Sequence, residues 1–113
     1  FYTDKGIQIV DYKTGMTKYS RADVDGNDQL TSYSMYAKSR GIVVDSVAIH
    51  LTKYDTKIYS TRADDDYKIL VDMIRGVSEK IRDGDFHANP GKACRFCKFK
   101  DICDAYKLYE WRR

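Results

Sequence analysis

The sequence has no hydrophobic stretch that approaches the ~20 apolar residues needed to cross a lipid bilayer. No basic segment followed by an apolar one stands at its start, so nothing in it indicates secretion. It also lacks an initiator methionine, beginning at Phe1 and running almost at once into the apolar stretch Ile7–Val10. We therefore expect a cytoplasmic protein without membrane contact, and a chain that is a fragment, a processed product, or a sequence whose upstream part is missing.

Proline and cysteine are both scarce. Pro90 is the only proline, and the three cysteines all fall within residues 94–103. An odd number of cysteines argues against a closed set of disulfides. The 113 residues, 42% of them hydrophobic and 33% charged, are enough for one globular domain with a small core. A core of that size would benefit from an additional cross-link.

The net charge of +3 is unevenly distributed along the chain. Residues 92–113 contain seven basic and three acidic side chains, a sum of +4, which leaves about −1 for residues 1–91. A basic tail suits a polyanionic partner. The alternative is an ordinary solvated surface with leftover positive charge.

The order of elements predicts a mixed α/β or α+β domain. We expect a partial core over residues 1–84 and a C-terminal cysteine segment over residues 85–113 packed on it. A turn at Asp4–Gly6 implies a strand before Ile7, and the apolar stripe of the first helix is expected to include Leu30, Tyr33 and Tyr36 or Ala37. The predicted elements are a strand at Ile7–Lys13, a polar loop at Met16–Gly26, a helix from Asn27 or Asp28 to Gly41, strands at Ile42–Lys53 and Thr56–Arg62, a helix from Asp64 to Gly84, and a short helix near Asp101–Tyr109.

The segment Ile9–Gly15 carries the most informative pattern. Residues two apart on a strand point the same way, so Asp11 and Lys13 are expected to converge above the sheet. A carboxylate there can hold Mg²⁺ or Mn²⁺ through oxygen. The lysine can orient a water and offset the charge that develops on a phosphate under attack. The alternative is an exposed Asp and Lys at a strand end, without chemistry.

The residues around this pair favour the catalytic interpretation. A capped helix follows, and Gln29 and Tyr33 project from one face of it because they are four residues apart. Together, the D-x-K of Asp11–Lys13 and the Q-x-x-x-Y of Gln29–Tyr33 resemble the RecB-type branch of the PD-(D/E)XK nuclease superfamily, from about Gly6 to Cys103. The resemblance implies a restriction-endonuclease-like core in which Asp11 binds metal, Lys13 positions water, and Gln29 and Tyr33 contact DNA or brace the site.

One feature of that family is absent. A further acidic metal ligand stands upstream of the D-x-K strand in the family, and Asp4 is a poor substitute because it lies in a turn and on the opposite strand parity. A single carboxylate is a weak Mg²⁺ site, so we expect this chain alone to be inactive unless an upstream segment supplies the missing ligand.

The cysteines form the second motif. A C-x2-C turn of Cys94 and Cys97, closed by Cys103, has the spacing of metal ligands, and thiolates select zinc or iron–sulfur clusters. The resemblance implies a 4Fe–4S cluster whose fourth cysteine lies upstream. The alternative is a Zn²⁺ site completed by His87; His50 is assigned no role. The neighbouring basic side chains are expected to meet DNA phosphates: Arg95, Lys98 and Lys100.

Three functional hypotheses follow. The first is a Mg²⁺- or Mn²⁺-dependent deoxyribonuclease, an exonuclease acting in DNA recombination, repair or phage DNA processing, with DNA and a helicase or recombination partner. The second is a non-catalytic DNA-binding or assembly module of the same fold. The third is a small zinc-stabilised interaction domain, for which the D-x-K is coincidental.

Overall fold

A computed structural model describes residues 1–111, and four strands form its single sheet in the order β1-β2-β3-β4. β2 and β3 are parallel, whereas the two outer pairs are antiparallel. This mixed sheet with helices confirms the predicted α/β class. The elements are β1 (Tyr2–Thr3), β2 (Gly6–Lys13), α1 (Arg21–Asp25), α2 (Asp28–Ser39), β3 (Val44–Leu51), β4 (Thr56–Ser60), α3 (Asp64–Arg82) and α4 (Asp104–Trp111), with 3-10 helices at Thr52–Tyr54, Lys92–Phe96 and Lys100–Ile102.

The chain forms two compact units, the first spanning Phe1–Gly76 and the second beginning at Val77. The division falls inside α3, and the predicted boundary after Gly84 stays a prediction. Arg112 and Arg113 of the predicted basic tail lie outside the described residues. No helix within residues 1–111 is long and apolar enough to cross a membrane.

The strand that carries the D-x-K motif lies inside the sheet. The predicted hairpin is present, since β1 pairs with β2 across a turn that contains Asp4. At the start of β2 the backbone passes so close to the next strand that a Cβ on Gly6, whose φ is +148°, would lie 2.3 Å from the Val43 carbonyl oxygen. Glycine is therefore required there. Further along, Asp11 pairs with Ile49 and Lys13 with Leu51.

A small core lies between the sheet and the first two helices. It consists of Val24, Leu30, Val47, Ile49 and Leu51. These residues come from α1, α2 and β3, so the core is built directly under the face of the sheet that bears Ile9 and Asp11.

The predicted apolar stripe of α2 was wrong in part. Leu30 and Ala37 are buried as expected, but Tyr33 and Tyr36 are 46% and 68% exposed. The buried face is completed by small polar residues, Thr31 and Ser34. Each of these hydroxyls has a partner, because Thr31 donates to the Asn27 carbonyl (3.0 Å) and Ser34 lies 2.8 Å from the Tyr67 hydroxyl.

The predicted loop at Met16–Gly26 was wrong over its second half, where α1 forms. Ser20 and Asp23 make a capping box: Ser20 Oγ accepts from the Asp23 amide, and Asp23 Oδ2 accepts from the Ser20 amide at 2.7 Å. Val24, on the inner side of this helix, is fully buried. The serine and aspartate spacing was the available signal for this helix start.

Two strands end earlier than predicted, and the last helix starts later. β3 ends at Leu51 because the chain enters a 3-10 helix there and then reaches Asp55, whose backbone is in the left-handed conformation (φ 44°). β4 ends at Ser60, and α4 starts at Asp104 after a separate 3-10 turn. The predicted end of α2 near Gly41 and that of α3 near Gly84 are confirmed, and both glycines have positive φ.

A hydrogen-bonded network joins α1 to β4, and it makes stability depend on pH. Asp25 Oδ1 accepts from the Ser60 hydroxyl (2.6 Å) and from Arg21 Nε (2.9 Å). The Ser60 hydrogen bond, followed by that of Arg21, lowers the pKa of Asp25 from its ordinary 3.8. The stabilisation is therefore present above pH 3.8 and is lost as the pH falls through the lowered pKa.

We accordingly expect the free energy of unfolding to fall below about pH 4, and Asp25→Asn to reduce this fall. Urea denaturation at a series of acidic pH values measures it. Asp72→Asn, which removes a carboxylate that pairs with Arg75 on the surface of α3, serves as the control. An unchanged pH dependence in Asp25→Asn would count against the network.

Candidate active site

The alternation of β2 places Asp11 and Lys13 on the same face of the sheet. Lys13 Nζ lies 2.7 Å from Asp11 Oδ2, and the two side chains are 29% and 16% exposed. This convergence is the geometry that the spacing predicts. The pair lies at the edge of the sheet where β2 and β3 both end, since Lys13 pairs with Leu51 in the parallel register.

The carboxylate of Asp11 has a coordination position to spare. Its Oδ2 atom is buried, and among the described residues the polar group against it is Lys13 Nζ, 2.7 Å away. An ionised carboxylate offers about four lone-pair sites on its two oxygens, and oxygen is the ligand atom that Mg²⁺ and Mn²⁺ prefer. Asp11 therefore fits the role of one ligand to such an ion.

The first turns of α2 bring the other two residues of the predicted site to the same place. Asn27 caps the helix by accepting from the Leu30 amide at 2.9 Å. Gln29, two residues after that cap, accepts from Lys13 Nζ through its Oε1 atom at 3.0 Å. Its Nε2 atom donates to the Tyr33 hydroxyl at 2.8 Å. The four side chains thus form one continuous series: Asp11, Lys13, Gln29 and Tyr33.

The electrostatics of this series fix the charge of the lysine. The hydrogen bond to the Asp11 carboxylate raises the pKa of Lys13 above its ordinary 10.5, while partial burial acts in the opposite direction. Lys13 therefore stays protonated at neutral pH. It can donate hydrogen bonds and offset negative charge, but it cannot accept a proton from water as a general base there.

The structure also places the histidines and Asp4. Asp4 lies in the turn between β1 and β2, away from the carboxyl end of β2. His50 has the opposite strand parity to Ile49, the partner of Asp11, and its Nε2 atom is 3.1 Å from Asp55 Oδ1. His87 lies in the second unit, 2.9 Å from Asp85.

The three cysteines are free thiols, with Cys94 and Cys103 half-buried and Cys97 exposed. The Gly91 amide donates to Cys94 Sγ at 3.3 Å. Within residues 1–111 no three histidine, cysteine, aspartate or glutamate side chains are grouped as ligands to one metal ion. The thiols in this arrangement thus do not fit a closed zinc site or a cluster.

The predicted DNA-binding residues belong to the same unit as the thiols. Arg95 lies within the 3-10 helix Lys92–Phe96, Lys98 follows it, and Lys100 begins the next 3-10 helix. Arg95 and Lys98 are exposed and Lys100 is half-buried. None of the three forms an ion pair among the described side chains that surround the cysteines.

One positioning residue was missed by sequence reasoning. Thr52, immediately after β3, donates its hydroxyl to the Lys13 carbonyl oxygen at 3.3 Å. This bond joins residues 39 apart in the chain, and it depends on the parallel register of β2 and β3. No local sequence pattern contains that information.

A carboxylate and a lysine two residues apart on a sheet strand, beside a glutamine-bearing helix, agree with the comparison against protein families. The chain belongs to the PD-(D/E)XK nuclease superfamily, whose family model matches residues 2–104. This is a superfamily of phosphodiester hydrolases that typically use Mg²⁺ or Mn²⁺. No curated protein sequence gives a significant match.

Proposed function

We propose that the protein is a metal-dependent deoxyribonuclease of the RecB-like type, an exonuclease that acts in DNA recombination, repair or phage DNA processing. The observation that carries this proposal is the connected series from Tyr33 through Gln29 and Lys13 to Asp11, whose buried Oδ2 atom lies 2.7 Å from Lys13 Nζ. Superfamily membership supports a nuclease in general.

Each residue of the series has a distinct chemical role in this proposal. Asp11 Oδ2 holds Mg²⁺ or Mn²⁺, which supplies activation of water and polarisation of the phosphate when bound. Lys13 orients the attacking water and offsets charge on the phosphate, because its raised pKa keeps it cationic. Gln29 fixes the position of the Lys13 ammonium, and Tyr33 fixes the amide of Gln29.

The decisive experiment uses the full-length gene product and end-labelled linear single- and double-stranded DNA, with Mg²⁺, Mn²⁺ or EDTA. We expect cleavage with either metal, none with EDTA, and none by Asp11→Asn. Covalently closed circular DNA separates the modes of action, since an exonuclease leaves it intact. Metal-dependent cleavage that persists in Asp11→Asn would overturn the site assignment.

Gln29→Ala is expected to lower kcat about 10- to 100-fold, because the Lys13 ammonium loses one of its two fixed partners and small misplacements of a catalytic group are costly. Gln8→Ala is the matched control, since Gln8 bonds Ser46 on the other face of the sheet (3.0 Å). The positioning role would be wrong if both variants changed kcat equally.

The pH dependence of cleavage provides a separate prediction. Since the pKa of Lys13 is raised above 10.5, its deprotonation should not lower kcat anywhere between neutral pH and about pH 9. A pH–rate profile of the unaltered protein measures this. A descending limb in that range that Lys13→Arg moves upwards would contradict the assignment of Lys13 as a permanent cation.

A second candidate is a non-catalytic DNA-binding or assembly module. One observation favours it: within residues 1–111, Asp11 is not grouped with two further acidic or histidine side chains that could share a metal. DNA binding by the full-length gene product, without cleavage under any of the metal conditions, is the result that would select it.

We propose further that Cys94, Cys97 and Cys103 come together on a 4Fe–4S cluster, with Zn²⁺ completed by His87 as the alternative. Their confinement to ten residues and their free thiols support this proposal. Purification without oxygen followed by absorbance spectroscopy and metal analysis tests it. A brown protein with iron and sulfide indicates the cluster, bound zinc without colour indicates the alternative, and neither metal refutes both.

Arg95, Lys98 and Lys100 are proposed to contact DNA phosphates near these thiols, alongside a helicase or recombination partner. Their positive charges without ion-pair partners among the described residues support the phosphate contacts. Loss of these contacts in Lys98→Gln should make DNA binding less sensitive to salt.

A further inference from the structure

Two segments meet beside Lys13, at the edge of the sheet where β2 and β3 end. One is the loop after β2, and the other is the 3-10 helix Thr52–Tyr54 after β3. Because the two strands are parallel neighbours, their following segments emerge at the same edge. The Thr52 hydroxyl, which donates to the Lys13 carbonyl at 3.3 Å, ties the second segment to the last residue of the site.

The side chains of these segments form a connected surface, here called the lip: Met16, Lys18, Lys53 and Tyr54. The Tyr54 hydroxyl donates to the Met16 carbonyl at 3.2 Å. Lys18 Nζ lies 5.7 Å from the centre of the Tyr54 ring, and Lys53 Nζ contacts Met16 Sδ. Both ammonium groups are thus held by uncharged partners.

The charge of the lip is available to an outside anion. Neither Lys18 nor Lys53 forms an ion pair with a carboxylate in the described part of the chain, whereas Lys13 and Lys38 do. The acidic residue next to the lip, Asp55, is 3.1 Å from His50 Nε2 instead. His50 has the strand parity opposite to that of the site, so the partner of Asp55 lies on the other face of the sheet.

An open polar groove connects the lip to the site. It has a volume of about 510 Å³ and runs from Lys18 to Gln29. The amide oxygen of Gln29 accepts a hydrogen bond from Lys13 Nζ. Asp23 and Asp28 also line it. Their carboxylates disfavour a phosphate inside the groove but can accept hydrogen bonds from the amino groups of nucleobases.

We propose that the lip binds backbone phosphates of a single DNA strand through Lys18 and Lys53, while the unpaired bases of that strand face the groove. The inference rests on the proposed function, because it names how the strand reaches Lys13. A single strand fits better than a duplex, since bases already paired cannot present their Watson–Crick edges to the groove.

The test measures binding rather than cleavage, in EDTA, by fluorescence anisotropy of a short fluorescein-labelled oligonucleotide over a range of salt concentrations. The lip variant is Lys18→Gln with Lys53→Gln. The matched control is Lys5→Gln with Lys57→Gln, which removes the same charge. Lys5 lies in the β1–β2 turn, Lys57 contacts the Phe1 ring (5.0 Å), and neither pairs with a carboxylate in residues 1–111.

We expect the lip variant to bind single-stranded DNA about tenfold more weakly at low salt, with a salt slope shallower by about 1.4, since each phosphate contact contributes about 0.7. The control should keep the slope. Equal weakening by both variants, or an equal effect of the lip variant on duplex DNA, would overturn the lip proposal and leave the nuclease proposal standing. No binding of any oligonucleotide by the unaltered protein would overturn both.

Discussion

Lys13→Ala is expected to lower the kcat of metal-dependent DNA cleavage by about 100- to 1,000-fold, with a much smaller change in KM. The reason is that in the proposed mechanism its ammonium, held between Asp11 at 2.7 Å and Gln29 at 3.0 Å, acts on charge that develops during the reaction. Removing one preorganised donor of that kind costs a factor of this size in other enzymes. Steady-state kinetics on a defined DNA substrate measure both parameters.

Two further variants make this result interpretable. Lys57→Ala removes a lysine from β4, where it pairs with His50 in register, and should leave kcat unchanged. Lys13→Arg keeps the charge but changes the geometry of the donor, so it should recover only part of the rate. If Lys13→Ala cleaves as fast as Lys57→Ala, the assignment of Lys13 is wrong and Asp11 must be re-examined with it.

Arg62→Ala is expected to lower the free energy of unfolding by about 3 kcal/mol, because several hydrogen bonds of a charged group are lost together. The guanidinium donates to Thr31 Oγ1 (2.7 Å) and Ser60 Oγ (2.8 Å). It also donates to the carbonyl oxygens of Val24 (2.8 Å), Asn27 (3.3 Å) and Thr61 (2.9 Å). Arg62 therefore joins the end of α1 and the start of α2 to β4, and urea denaturation measures its contribution.

Arg75→Ala is the matched control for this experiment. Arg75 forms an exposed pair with Asp72 on α3 (3.2 Å), which is expected to contribute less than about 1 kcal/mol. Similar losses in the two variants would show that the Arg62 network does not stabilise the first unit. Arg62 holds α2, which carries Gln29. We therefore also expect the Arg62→Ala variant to cleave more slowly even at temperatures well below the variant's own midpoint of unfolding.

The parts of the site that sequence reasoning predicted depend on local periodicity. Asp11 and Lys13 share a face because side chains alternate along a strand, and Gln29 and Tyr33 meet because residues four apart adjoin on a helix. The class of fold follows from the same periods. Both kinds of information are present within a few consecutive residues, so no knowledge of tertiary contacts is needed.

The parts that were missed or misassigned depend on contacts distant in sequence. Thr52 reaches Lys13 only through the β2–β3 register, and Arg62 finds its acceptors on two helices that precede it by more than thirty residues. Tyr36 looked like part of an apolar stripe, yet the face of α2 that meets the sheet uses Ser34. For the thiols, spacing indicates proximity along the chain but does not determine side-chain directions.

The contact between Lys13 and Asp11 has a consequence for how the site meets a divalent ion. Burying a carboxylate costs free energy, and here a cation two residues along the same strand offsets its negative charge. Asp11 thus has a counter-ion within the chain, and under the proposed function a divalent ion would share that oxygen with the Lys13 ammonium. Binding of the ion and the position of the lysine would therefore be coupled, because each changes the electrostatic potential at the other.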